Sequence, residues 1–387
     1  MRCAEKYIIL VGDGMADHPI EELDGKTPLE AAETPNMDRL AEEGISGLVR
    51  TIPEKLPPGS DVASLSVLGY DPRIYYKGRA PLEAASMGVF LKDDEIGFRC
   101  NLVTVKDGRM ADFSAGHIVT EEARELIEML NKRLGSKEIR FYPGVSYRHI
   151  LIISSSLIPN ISTKCTPPHN ITGEPISLHL PEGEGAELLQ SLMERSYNIL
   201  KGREYANMIW LWGEGRKMEL PSLRERFGID GCVISAIDLI KGLGVLVELE
   251  IIDVPGATGY YDTDYRAKAL YGLEALKKAD LLFLHVEAPD EAGHNKDLRE
   301  KIRAIENFDK KTVGTILKEI PDKARILLLS DHPTPISLGR HTEDSVPFVL
   351  WGDGIERDTI SFFNEKEAEK GEFIKEGHTL IERLIRL

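Results

Sequence analysis

Asp290 and His294 stand four residues apart in the segment DEAGH, a spacing that one helical turn would place on a single face, as two ligands of one metal ion require. Alone the pair carries little, because an aspartate and a histidine fall four apart by chance in many chains of this length. Asp331 and His332 directly follow the apolar run RILLLS. Inside a strand their side chains would diverge, but at a strand-to-loop break both can turn toward one site. His341 lies a little further on, in the polar loop of LGRHTEDSVPF, and Asp13 closes the apolar run of YIILVGDG. A hydroxyl candidate is Ser60 in LPPGSDVASLSVLG: Pro57, Pro58 and Gly59 make a tight turn, and the apolar-periodic stretch after them predicts a helix. A serine there has unpaired backbone N–H groups beside it, suited to a phosphoryl group. Each residue also has an ordinary reading: Asp13 as a turn carboxylate, His341 as a loop histidine, Ser60 as a plain N-cap. Together the three carboxylates and three imidazoles are a donor set sufficient for two divalent ions, provided their loops converge.

Convergence is what the surrounding elements predict. Three β-branched or leucine-rich runs, YIILVGDG, LLFLHVEAPD and RILLLSDH, each end in an aspartate. Continuous apolar runs of this kind suit strands of a parallel sheet buried on both faces. Helical patterns lie between and after them, in TPNMDRLAEEG, YRAKALYGLEALKKA and LREKIRAIENFDKKTVGTILKEI. Alternating strand and helix is the signature of βαβ units, and in open sheets of that class ligands gather at the carboxyl ends of the strands. The stretch between Tyr75 and Pro221 reads differently, with shorter strands in IGFRCNLVTV, RHILIIS and NMIWLWG, one clear helix over Thr120 to Leu134, and prolines at 167 and 168. It predicts a second, smaller α/β domain, residues 76–220, inserted into a main α/β domain of residues 1–75 and 221–387. YDPRIYYKGRAP and WGEGRKMELP would be its hinge connections, with Arg79 a hinge residue.

Composition narrows the partners. The 387 residues are 42% hydrophobic and 29% charged, enough apolar side chain for a substantial core. A net charge of −16 repels phosphate backbones and anionic lipid, so neither nucleic acid nor a membrane surface is an expected partner, and oligomeric state is left open. No apolar run reaches the roughly 18 residues of a membrane span, and the run Tyr7 to Val11 is short for a signal-peptide core, which predicts a cytoplasmic protein. Cys3, Cys100, Cys165 and Cys232 are scattered without a CxxC pair and read as small core residues. The single glutamine, Gln190, amid abundant Glu, Lys and Arg is a composition found in heat-adapted proteins. The GLG at 242–244 lacks the setting of a dinucleotide fingerprint, and no GKS or GKT phosphate loop occurs. His285, alternating with apolar residues in LLFLHVEA, reads as a satisfied core histidine, while His18, His149, His169, His179 and His378 lack partners at recognisable spacing.

VGDGMAD, ETPNMDRLA, PPGSDVASLSVLGYDP, the DEAGH turn, LLLSDH and the GRH loop together resemble the archaeal-type cofactor-independent phosphoglycerate mutases of the alkaline phosphatase superfamily. The resemblance runs over nearly the whole chain. It implies an alkaline-phosphatase-like, mostly parallel central sheet flanked by helices, with a substrate-binding or lid domain inserted. It also implies one metal ion held by Asp13, Ser60, Asp331 and His332, and another by Asp290, His294 and His341. The ions would be manganese, or zinc, magnesium or cobalt, with no 2,3-bisphosphoglycerate required. Two such ions bring +4 against −3 from the aspartates, which favours an ionised Ser60 and attracts phosphate into an anionic protein. The implied reaction passes the phosphoryl group of 3-phosphoglycerate to Ser60 and returns it to the 2-hydroxyl. In the inserted domain, His117 and Arg148 are the candidates for substrate contacts. Lys241 would lie near the phosphate. The inserted domain is shorter than in the long bacterial and plant enzymes, and their arginine-rich substrate motif is not recognisable in it. The competing expectations are a metal-dependent phosphomonoesterase or homoserine-kinase-like phosphotransferase, and a non-catalytic metal-stabilised binding protein.

Overall fold

The computed structural model describes residues 6–159, 162–321 and 323–386. Two compact units divide the chain, one of Met1–Tyr76 with Leu220–Leu387 and one of Lys77–Glu219. In the first, eight strands form a sheet ordered Glu372–Ile374, Ile45–Val49, Val346–Gly352, Ala324–Ser330, Lys6–Gly12, Leu281–Val286, Gly231–Ile234 and Glu250–Ile251. Only Val346–Gly352 runs against its neighbours, so the sheet is mostly parallel. Ile8, Ile9, Leu10 and Val11 are all fully buried, as a central strand covered on both faces must be.

The three aspartate-ending runs are the three adjacent central strands, and their register is level: Gly12 pairs with Val286 on one side and with Ser330 on the other. Helices cover the sheet through Met37, Leu40, Leu273, Leu276, Ile305 and Phe308, packed with Ile8, Leu10, Leu282, Leu284 and Ile326. Helix Tyr265–Leu276 starts where the Asp264 carboxylate accepts from the Ala267 N–H, and Leu298–Asn307 where Asp297 does the same for Glu300. Helix Pro35–Glu43 has no side-chain cap of its own. Asp309, in a π-helical turn at Phe308–Val313, accepts instead from the N–H groups of Asn36 at 3.0 Å and Met37 at 2.7 Å. A distant carboxylate thus closes that helix.

The Lys77–Glu219 unit has a five-stranded antiparallel sheet built on Glu95–Lys106, which pairs with Arg109–Asp112, Arg148–Ser154 and Met208–Arg216, while Ile139–Tyr142 extends the far side. At 12 residues Glu95–Lys106 extends the expected run IGFRCNLVTV by one residue at each end. Helix Thr120–Leu134 forms over the expected residues, and a second helix, Ala186–Leu200, packs Leu189, Leu192 and Met193 into the same core. In LVELEII only Glu250–Ile251 is strand: helix Asp238–Leu246 ends on its first residue, and the chain turns through Val247 and Glu248 before the strand. Cys100 and Cys232 are buried and Cys165 is half-buried, while Cys3 lies outside the described residues. Among the described residues, no helix is long and apolar enough to cross a membrane.

Candidate active site

The level ends of the central strands bring Asp13, Asp331 and His332 together in the interior, all essentially inaccessible to solvent. Ser60 is the first residue of helix Ser60–Val67, preceded by an extended Gly59. Its Oγ lies 3.1 Å from His332 Nε2 and 3.4 Å from Asp13 Oδ1. Asp331 Oδ1 accepts from the backbone N–H of Gly14 at 3.1 Å and of His332 at 2.9 Å, which orients the carboxylate, while its Oδ2 is buried without a hydrogen-bond partner.

Asp290 and His294 share one face of helix Ala288–His294, with His294 Nε2 3.3 Å from Asp290 Oδ2. His341 Nε2 lies 3.3 Å from Asp290 Oδ1 and 2.9 Å from His294 Nε2. Their other nitrogens are fixed by carbonyls: Gly339 O lies 3.1 Å from His294 Nδ1, and Pro58 O lies 3.3 Å from His341 Nδ1. Anchored at Nδ1, both rings aim Nε2 at a common point beside a carboxylate, the disposition of two imidazole ligands. The His332 and His341 rings are 4.0 Å apart, so the two groups of residues adjoin.

Gly14 makes this closeness possible. Its φ is +58°, and a Cβ there would lie 2.5 Å from both Asp290 Oδ1 and Thr334 Oγ1. Thr334 ties the halves together, donating from Oγ1 to Asp290 Oδ1 while lying 3.3 Å from His332 Nδ1.

The electrostatics show an excess of negative charge. Burial, reinforced by Asp331, Asp290 and Glu287, raises the Asp13 carboxyl well above its ordinary range. Burial works the same way on Asp290, but the charges and hydrogen bonds of His341 and His294 outweigh it and hold it well below. Burial lowers His332 to about 4, so its imidazole is neutral. Glu291 is pushed up to about 7 by burial and then by Asp290.

The remaining sequence candidates lie elsewhere. Lys241 sits on helix Asp238–Leu246, which packs against the Ser60 helix, and its ammonium donates to Asp253 at 2.8 Å. His117 and Arg148 belong to the Lys77–Glu219 unit. His117, exposed and at φ +54°, lines a cavity of about 460 Å³ with Tyr205, Glu122 and Arg203. Arg148 is half-buried over the Tyr147 ring, and its Nε has no hydrogen-bond partner.

Two features escaped the sequence reading. His285 is fully buried but not satisfied: neither ring nitrogen has a hydrogen-bond partner. Its neighbours are Asp13, Asp331 and Glu287, and the last is anchored by the buried Lys268. Lys301, also fully buried, donates to Asp17 Oδ2 at 2.7 Å, Thr334 O at 2.8 Å and Ala16 O at 3.2 Å, fastening the loops after two central strands. A lysine in an amphipathic helix reads as solvated, and only the fold shows which lysines are enclosed. Two of the histidines without recognisable sequence partners do have partners: His18 meets the distant Asp344 at 3.0 Å, and His149 Nδ1 accepts from the nearby Gly144 N–H at 2.9 Å.

A curated protein of Methanosarcina acetivorans named 2,3-bisphosphoglycerate-independent phosphoglycerate mutase is 49% identical over 95% of this chain and 96% of its own. This chain belongs to that family. A relative of the same name, numbered 2, from Methanothermobacter thermautotrophicus is 51% identical over 97% of this chain and 96% of its own. The family model for 2,3-bisphosphoglycerate-independent phosphoglycerate mutase matches residues 41–206. Among solved structures, the cofactor-independent phosphoglycerate mutase of Thermoplasma acidophilum superposes with a TM-score of 0.65 at 26% identity, covering 99% of both chains. A Pyrococcus horikoshii protein superposes with a TM-score of 0.82 at 30% identity, over 98% of this chain and 96% of its own. The fold thus recurs, over nearly the full length of the chain, in a solved cofactor-independent phosphoglycerate mutase.

Proposed function

We propose that the protein interconverts 3-phosphoglycerate and 2-phosphoglycerate through a phosphoserine at Ser60, as a cytoplasmic step of glycolysis and gluconeogenesis that needs no 2,3-bisphosphoglycerate. The observation carrying this reading is the position of Ser60 Oγ, 3.1 Å from His332 Nε2 and 3.4 Å from Asp13 Oδ1, at the edge of a buried set of carboxylates.

That set fits divalent metal. An unpartnered Asp331 Oδ2, an Asp13 carboxyl driven toward protonation by burial and then by its neighbours, and two Nε2 atoms facing each other are all relieved by cations. Asp13, Ser60, Asp331 and His332 would hold one ion and Asp290, His294 and His341 the other, with manganese preferred over zinc, magnesium or cobalt. When bound, the ions supply positive charge that favours the Ser60 alkoxide and offsets charge on the phosphoryl oxygens.

Ser60 Oγ forms the new bond to phosphorus as the bond to the 3-oxygen breaks, leaving glycerate. The glycerate turns, and its 2-oxygen takes the phosphoryl group back from Ser60. Retaining glycerate between the transfers falls to the Lys77–Glu219 unit, acting as substrate-binding domain and lid. His117 at its cavity and Arg148 with its unpartnered Nε would meet the carboxylate or phosphate. Lys241 is assigned to the phosphoryl oxygens: an ion pair to the exposed Asp253 holds it by less than about 1 kcal/mol, so exchanging that partner is cheap.

An enolase-coupled assay with manganese and no bisphosphoglycerate tests the reading. Steady 2-phosphoglycerate formation is expected, with Ser60→Ala abolishing turnover while keeping bound metal. Release of free phosphate in its place would make the protein a phosphomonoesterase.

A further inference from the structure

His285 is the one histidine of the central strands, on Leu281–Val286 directly beside the strand that delivers Asp13. Its Nε2 lies 3.5 Å from Asp13 Oδ2 and 3.8 Å from Asp331 Oδ2, and its Nδ1 lies 3.5 Å from Glu287 Oε1. None of these is a hydrogen bond. Both ring nitrogens and Asp331 Oδ2 are enclosed and unpartnered, an arrangement that costs free energy for every atom left so. Donor atoms of Asp13, His285 and Asp331 lie within 4.8 Å of one another, the span of a single coordination sphere.

The other side of the ring is already balanced. Glu287 accepts from Ser235 Oγ at 2.8 Å, from the Ala236 N–H at 2.6 Å and from the buried Lys268, which also donates to His285 O at 3.0 Å. Glu287 is therefore held as an anion by the lysine and faces Nδ1, as the carboxylate does in carboxylate–histidine–metal triads.

We infer that His285 is a further ligand of the metal centre: its Nε2 binds the ion shared by Asp13 and Asp331, while its Nδ1–H points to Glu287. This rests on the two-ion reading given above. The ligand is neutral, so it adds a donor without further negative charge. Lys268 and Glu287 are positioning residues that fix the tautomer.

Zinc is the probe. Crystals of the wild-type protein loaded with Zn²⁺ should show an anomalous peak about 2.1 Å from His285 Nε2. In equilibrium dialysis, His285→Ala should bind one of two Zn²⁺ equivalents at least ~100-fold more weakly, and Glu287→Gln ~10- to 100-fold more weakly. An ion beside Asp13 but more than about 3 Å from Nε2 overturns the inference and leaves the two-ion site standing. So does a folded His285→Ala with unchanged affinity for both equivalents. If the variant does not fold, the wild-type map decides alone. Turnover by wild-type protein that binds no metal would overturn the two-ion reading and this inference with it.

Discussion

Replacing Gly14 by alanine tests whether the site is held at its present dimensions. The backbone there has φ +58°, a conformation that costs an L-residue about 1–2 kcal/mol. The new Cβ would stand 2.5 Å from Asp290 Oδ1 and Thr334 Oγ1 and 2.8 Å from the Asp290 Cα, so backbone must move as well as side chain. Overpacking of that kind adds about 1–3 kcal/mol, for a total of roughly 2–5 kcal/mol. Gly25 is the matched control, since its φ is +78° and nothing lies within 4 Å of its built Cβ. Gly25→Ala should lose only the conformational part, about 1–2 kcal/mol, with unchanged turnover. Gly14→Ala displaces Asp290, and misplacing a catalytic constellation by about 1 Å costs on the order of 100-fold in rate. Urea unfolding and the enolase-coupled assay read both quantities. If Gly14→Ala were no less stable than Gly25→Ala and kept activity within about threefold, the close approach of the Asp13 and Asp290 loops would not be what organises the site.

Stability should also fall in acid through His149, whose buried ring is held near 3 by desolvation and then by Arg124 and Arg148. Below its ordinary value of 6.5 the unfolded chain binds a proton that the folded ring refuses, so stability is lost as pH falls from about 6.5 toward 3, by about 2 kcal/mol at pH 5. His149→Asn should flatten that slope, and urea midpoints that fall equally in both proteins between pH 7 and pH 5 would contradict the assignment. Lys301→Met strips a buried carboxylate of its partner and should destabilise by about 3–5 kcal/mol in urea unfolding, against near-neutral behaviour if Asp17 could be reached by water. Lys241→Ala should lower kcat while Asp253→Ala leaves it unchanged; equal effects in steady-state kinetics would reduce Lys241 to a surface ion pair.

How far the chain could be read without coordinates follows from what each signal depends on. Both-face burial leaves its mark as unbroken apolar runs, which is why YIILV, LLFLHV and RILLL were legible as strands of a parallel sheet and why their closing aspartates pointed to one place. The helical spacing of Asp290 and His294 survives intact because both sit on one turn. The run IGFRCNLVTV marked Glu95–Lys106 to within a residue at each end, but periodicity could not show that the strand is paired on both sides. Nor could it give helix Pro35–Glu43 its N-terminal partner, which arrives from Asp309 in another helix.

The order of residues along the chain thus determined which side chains carry chemistry, because residue type and local spacing are properties of short segments. Tertiary structure alone decided which charged groups are shut away from water. Lys268, Lys301 and His285 lie on helices and strands, and Glu287 at the junction of the two, in patterns that look like any others. Whether such a group is solvated, paired or left facing a carboxylate depends on what packs over it from elsewhere in the chain, and that distance information is created only when the sheet closes.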